Sequence, residues 1–242
     1  MKIFLLLLFF PLVCFSQQTN HQVSVDKAIV IHLNEESGNV AYDNGNGADW
    51  TYTGTTKVDK CIIGSCRDFN RTSDQITRTG TLNNLAEFSF SVWFRYLGDG
   101  SNSGFYGILS NGISSGDASW GIRVIHSNMQ LQFYVYQISG GYQGIVISNL
   151  VEVGKWHHAV GTFNLSSNYH RLYLDGKLIG SRTSISAINA TKGTTLYIGQ
   201  WHHPSLTMLW DGQIDEVVIY EGKELSQAEV SYLYAHQIGG YQ

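Results

Sequence analysis

The sequence predicts an all-β protein: a sandwich built from many short antiparallel strands and closed by one short C-terminal helix. Three observations carry this. From Phe88 to Tyr96 the chain alternates with period two, placing Phe88, Phe90, Val92, Phe94 and Tyr96 on one face and Ser89, Ser91, Trp93 and Arg95 on the other. The same alternation recurs over 121–125, 130–136, 156–163, 171–174 and 195–198, with Gly- and Ser-rich turns such as 99–104 and Ser139-Gly140-Gly141 in between. Only two prolines and 14% charged residues, beside 13% aromatic, agree with strands joined by polar turns. No internal repeat and no coiled-coil stripe interrupts the pattern.

In chain order, Lys2 is followed by an apolar run from Ile3 to Phe15, too short to span a bilayer, with a small-residue cleavage site after Ser16. Residues 1–16 are therefore read as a cleaved secretory signal, 17–22 as a tail and 23–242 as one domain, placing the mature protein outside the cell from Gln17 onward. Val13 is bulkier than the residue a lipid-anchoring motif puts before its cysteine, which argues against a lipid on Cys14. The formal net charge is −4, and loss of Lys2 with the signal makes the remainder one unit more acidic. With no basic run, the chain lacks the footprint expected for nucleic acid or anionic lipid, so neither nucleic-acid binding nor membrane insertion is expected.

Cys61 and Cys66 enclose Ile62-Ile63-Gly64-Ser65. In a secreted chain this spacing reads as a disulfide with Gly64 supplying the tight turn, not as a Cys-x-x-Cys redox pair. Near the C-terminus, Ile214, Glu216, Val218 and Tyr220 alternate with Asp215, Val217 and Ile219, predicting a half-buried strand. Ser226 with Glu229 three residues later is a capping box, and Val230, Leu233 and Tyr234 follow at helical spacing, predicting a helix of two to three turns.

Several of these stretches form an ordered set: Lys155-Trp156-His157-His158-Ala159-Val160, Leu172-Tyr173-Leu174-Asp175-Gly176, Leu196-Tyr197-Ile198-Gly199, and Gly212-Gln213-Ile214-Asp215-Glu216-Val217-Val218-Ile219-Tyr220 before Leu225-Ser226. The set resembles laminin G-like domains of the concanavalin A-like lectin/glucanase superfamily, and Phe88 to Phe94 extends the resemblance over roughly the whole mature chain. It implies a concanavalin A-like jelly roll of two antiparallel sheets. One departure is Phe69-Asn70-Arg71, where the family turn has a glycine.

The resemblance also implies a calcium ion, with the Asp of Ile-Asp-Glu-Val, here Asp215, as a side-chain ligand and the 43–47 loop, led by Asp43, or the Phe69-Asn70-Arg71 turn contributing oxygens. Residues that only accept backbone N–H bonds would look the same in sequence. His157-His158 and His202-His203 suggest transition-metal ligands, but neighbours on a strand point to opposite faces, so at most one of each pair can join a site.

The Glu-x-Asp-x-x-Glu strand of family 16 hydrolases, the Gln-Ile-His of alginate lyases and the His-Glu-x-x-His helix are all missing from this sequence. The expectation is a non-catalytic module that recognises a glycan or polysaccharide, or a cell-surface protein, with a polysaccharide lyase or hydrolase of unrecognised site as the alternative. Candidate ligand-binding residues, read as lying on accessible strand faces or in the hydrophilic loop 200–211, are Trp93, Arg95, Tyr134, Tyr136, Trp201, His202 and Trp210, because sugars stack on aromatic rings while polar side chains take their hydroxyls.

Overall fold

The computed structural model of the protein describes residues 28–45, 47–80, 82, 85–98, 104–112, 118–203 and 206–238, with backbone alone for 202, 203, 206, 207 and 238. The signal segment 1–16, the tail 17–22 and most of the 99–104 turn lie outside the described residues. The chain runs through β1 (Ala28–Ile31), β2 (Val40–Ala41), β3 (Trp50–Thr53), β4 (Thr56–Asp59), β5 (Ser65–Asn70), β6 (Gln75–Thr79) and the long β7 (Glu87–Tyr96). The middle supplies β8 (Phe105–Gly112), β9 (Trp120–Ile125), β10 (Gln130–Gln137), β11 (Gly141–Ile147), β12 (Trp156–Asn164), β13 (Tyr169–Leu174) and β14 (Lys177–Arg182). It ends on β15 (Thr195–Ile198), β16 (Gln200–His203), β17 (Leu206–Leu209), β18 (Asp211–Glu221) and the helix α1 (Gln227–Ile238).

These strands make two antiparallel sheets facing each other. Sheet A runs β14-β13-β12-β7-β18-β5-β4, with β1 added to β18; sheet B runs β11-β10-β9-β8-β15-β6-β3-β2. The inward residues of β7, Phe88, Phe90, Val92, Phe94 and Tyr96, meet Trp120, Ile122, Leu131, Phe133 and Val135 of sheet B in one apolar core. Phe90 packs edge-on against Phe133 and stacks on Trp120, with ring centroids 5.2 and 5.8 Å apart.

Both sheets carry a lid on their outer faces. On sheet A, α1 buries Val230 against Val30, Val160, Tyr173, Val218 and Tyr220. Its start is fixed by the expected capping box, in which the Ser226 amide donates to Glu229 at 2.8 Å and the Glu229 amide donates to Ser226 Oγ at 3.3 Å. On sheet B, the stretch 200–211, expected as a hydrophilic loop, forms the hairpin β16–β17 lying across β8. Gly107 permits that approach, because a Cβ there would sit 1.9 Å from the Trp201 nitrogen.

β18 departs from plain alternation. The register against β7 shifts between Asp215 and Val218, and Glu216 takes a left-handed φ of 49°. Glu216 is thus the extra residue of a β-bulge, so Ile214, Val217 and Ile219 share the core face while Val218 and Tyr220 turn to the helix. The expected grouping of Ile214 with Glu216, Val218 and Tyr220 is corrected accordingly. Cys61 and Cys66 are disulfide-bonded. At the turn where the family has glycine, Arg71 itself adopts φ 62°. No helix among the described residues is long and apolar enough to cross a membrane.

Candidate functional site

Helix α1 covers only part of sheet A. Beside it, Trp93, Arg95, Trp156 and Tyr234 surround a cavity of about 330 Å³, within the range of small-ligand sites. Trp93 and Arg95 are alternate residues of β7 and share its outer face; in register, His158 lies opposite Trp93 and Trp156 opposite Arg95. Trp93 is the floor. It is 1% exposed, stacks on Tyr234 at 5.6 Å, and donates its indole N–H to Gln237 Oε1 at 2.8 Å. Tyr234 in turn rests on the β13–β14 turn, where Gly176 accepts hydrogen bonds from Gln227 and Ser231 of the helix.

Arg95 is anchored by one nitrogen. Its Nε donates to the Gly154 carbonyl at 2.6 Å, and no ion pair among the described residues engages its guanidinium. The two terminal nitrogens therefore remain available to acceptors entering the cavity. Trp156 is partly exposed on the neighbouring strand. Lys155 stands on the rim, paired with Glu152 at 2.8 Å.

Asp175 also lines the cavity, but both its oxygens are committed to the fold: one accepts from His157 Nδ1 and the other from the His158 amide, each at 2.9 Å. Burial alone would raise this carboxyl, yet those hydrogen bonds hold it below the usual carboxylate range. Since His157 Nε2 accepts from the Glu152 amide at 3.0 Å, the ring carries its proton on Nδ1. Below lies a Ser91–His158 pair at 2.7 Å that resembles a nucleophile and its base. It is not one: both are 0% exposed under α1, Asp175 binds the backbone of His158 and not its ring, and burial drives His158 down to about 3.

The structure scatters the other candidates. Trp210, expected on an accessible loop, is fully buried between the sheets, edge-on to Phe94 and Tyr96 at 5.7 Å each. Trp201 and Tyr134, also expected to be accessible, are 3% and 0% exposed, because they stack on each other at 3.9 Å beneath the β16–β17 hairpin. Arg123 is clamped there, its guanidinium carbon 3.3 Å from the Trp201 ring centre and 3.9 Å from that of Phe105. Tyr136, farther along β10, is partly exposed with Lys192 Nζ 4.9 Å above its ring. The side chain of His202 lies outside the described residues. His157 and His158 point to opposite faces of β12, and both are buried, His157 against Phe94 on the core side and His158 against Trp93 and Tyr234 beneath α1.

Trp93 and Arg95 are thus the pair that the fold brings together. Sequence reasoning missed Trp156 and Tyr234. The first was signalled by its place beside the histidine pair on a recognisable strand; the second depends on where a helix docks, which periodicity does not state.

The calcium reading meets a donor problem. Asp215 is 0% exposed, and its oxygens face N–H groups: Oδ2 takes the Ile62 and Ile63 amides at 2.9 and 3.1 Å, and Oδ1 takes the Glu216 amide at 2.9 Å. Donor hydrogens aimed at both oxygens are what a carboxylate needs in place of a cation. Asp43 Oδ1 accepts from the Val30 and Gly45 amides at 2.9 and 2.7 Å, the Asx-turn arrangement, and its Oδ2 lies 3.9 Å from Arg78. Among the described residues no cluster of three His, Cys, Asp or Glu could hold a metal. Both oxygens of Asp215 are thus taken by N–H donors and cannot also face a cation, whereas Oδ2 of Asp43 is buried without a hydrogen-bond partner.

Two facing antiparallel sheets with a lid on each outer face define a concanavalin A-like sandwich. The family model of the concanavalin A-like lectin/glucanases superfamily matches residues 70–231, more than half of the chain, and the chain belongs to this family as a laminin G-like domain. No curated protein matches it. Among solved structures, the binding domain of botulinum neurotoxin serotype D is similar at 18% identity and a TM-score of 0.66, covering 86% of this chain and 51% of that one. The receptor-binding domain of type G gives 18%, 0.64, 86% and 51%. The serotype D ligand-binding domain in complex with N-acetylneuraminic acid gives 18%, 0.66, 86% and 50%. At this identity the likeness concerns the fold, and the chain spans about half the length of the solved chains it matches.

Proposed function

We propose that this protein is a secreted, non-catalytic module that binds a glycan or polysaccharide in the cavity between Trp93, Arg95, Trp156 and Tyr234. The observation that carries the reading is the pairing of partly exposed aromatic rings with a guanidinium held by one nitrogen. A pyranose can lay a C–H face on Trp156 or Tyr234 while Arg95 donates to its oxygens. Family membership and similarity to toxin binding domains, one of them bound to a sugar acid, support a binding module. The buried states of Asp215, Glu216 and Ser91 speak against those groups as catalytic residues.

The test is a glycan array with wild type, Arg95→Ala and Trp156→Ala, each with and without a chelator. Binding by the wild type, weakened in both variants and indifferent to chelator, is expected. A wild type that retains no carbohydrate overturns the reading, and release of reducing ends or unsaturated sugars from a polymer transfers the case to a lyase or hydrolase. Mass spectrometry of exported protein should give Gln17 as its N-terminus.

A further inference from the structure

The edges of the two sheets are protected unequally. Sheet A ends on β4 and β14, sheet B on β2 and β11. β4 carries Lys57, ion-paired with Glu36 and Asp59; β14 carries Lys177 and Arg182; β2 is two residues long. The free side of β1 is stitched to its own loop, the Val30 amide donating to Asp43 and the Asn44 amide to the Val30 carbonyl. Charge, brevity and cover are the usual means by which an edge is kept from recruiting another strand.

β11 has none of them. It reads Gly-Tyr-Gln-Gly-Ile-Val-Ile, seven residues without charge, inside a stretch with no Asp, Glu, Lys or Arg between Arg123 and Glu152. Tyr142 and Val146 stand on its outer side, each 42% exposed; Ile138 on the approach is 70% exposed, and Leu178 on the adjoining β14 is 48% exposed. Three of the eight exposed large apolar side chains among the described residues, Ile138, Tyr142 and Val146, stand at this edge of sheet B, while Leu178, opposite Tyr173, turns to the outer face of sheet A. The flank is continuous across both sheets, since a Cβ on Gly180 of β14 would lie 2.5 Å from Ile145 of β11.

We propose that this flank docks a second copy of the chain, β11 pairing antiparallel with β11 of the other copy across a two-fold axis, so that sheet B continues from one molecule into the next. A strand that pairs with itself brings its own residues face to face, so any charge near its middle opposes a like charge. β11 is free of that penalty. In a pairing centred on Gly144, Tyr142 of one copy faces Val146 of the other, an aromatic–β-branched pair of the favourable kind, and the glycine leaves the centre unobstructed. Ile138 extends the contact beyond the strand toward the area a stable dimer needs.

The axis stands normal to the sheet, so the outer faces of both copies of sheet A point the same way. If the cavity of Trp93 and Arg95 binds carbohydrate as proposed above, both cavities then face one polymer and bind it with avidity. Only this corollary rests on the carbohydrate reading.

Sedimentation and light scattering over a range of concentrations test the pairing. The wild type is expected to run as a dimer, Val146→Lys as a folded monomer, and Tyr42→Lys, at an exposed site beside the opposite edge of sheet B, as a dimer. Hydrogen exchange at the amides of 141–147 should slow as dimer forms, and in the wild type this decides the case even if Val146→Lys fails to fold. A wild type that stays monomeric at every concentration overturns the proposal. So does a Val146→Lys protein that still dimerises, or a dimer whose 141–147 amides exchange as fast as in the monomer.

Discussion

Trp93 and Trp156 offer a contrast that tests the cavity and the fold together. Trp93 is 1% exposed and joins β7 to α1 through its stack on Tyr234 and its hydrogen bond to Gln237. Trp93→Ala should cost about 3–5 kcal/mol for the buried indole, with about 1 kcal/mol more for the hydrogen bond. For a chain of this size about 1 kcal/mol lowers Tm by roughly 2–4 °C, so a drop of about 10 °C or more is expected. Trp156 is partly exposed and supports no helix, so Trp156→Ala should change stability little. One lost stacking ring, worth about 1 kcal/mol, should weaken polysaccharide retention roughly fivefold. Urea melts give the first quantity and affinity gels or calorimetry the second. Unchanged retention in Trp156→Ala would remove the cavity from the binding surface, and a Trp93→Ala protein as stable as wild type would refute the account of how α1 is held.

Three further outcomes follow from the same geometry. Burial, with Glu216 adding to it, raises the Asp215 carboxyl from about 3.8 to about 8 against the three amides that favour the anion; its contribution to stability is then full below the unfolded value and lost as pH rises through about 8, so Asp215→Asn should flatten that fall in urea melts between acid and mildly alkaline pH. Replacing Cys61 and Cys66 by serine frees a six-residue loop and should cost about 2 kcal/mol by loop entropy, read as a lowered urea midpoint. A chelator should leave Tm unchanged, because both oxygens of Asp215, the ligand the family resemblance implies, already accept from N–H donors; a drop on chelation would restore the cation.

Much of the fold was legible because it is written locally. The β7 alternation, the β15 limits, the Ser226–Glu229 box and the Cys61–Cys66 bridge each depend on residues close in sequence, and each stands where spacing put it. The bulge at Glu216 was not legible, since Ile214 to Tyr220 alternates plausibly in either register. What selects the bulge is a distant partner set: His32 Nδ1 lies 2.9 Å from the Glu216 carboxylate, and the disulfide loop supplies amides to Asp215. That hydrogen bond to Glu216 raises His32 above its usual value, although burial works against it.

The site was half legible for a different reason. Period-two alternation separates the two faces of a strand but does not say whether the outer face meets water, because a second layer can cover it. Here both outer faces are covered in part, sheet A by α1 and sheet B by β16–β17, and the covered parts are where the chain places its outward aromatics. Trp93 and Tyr134 stand on outer faces as expected and are nevertheless buried, one under Tyr234 and the other under Trp201. An indole turned outward on a strand of this protein therefore marks first where a lid sits. The open ground begins one residue pair past the lid, and on β7 and β12 that pair is Arg95 opposite Trp156.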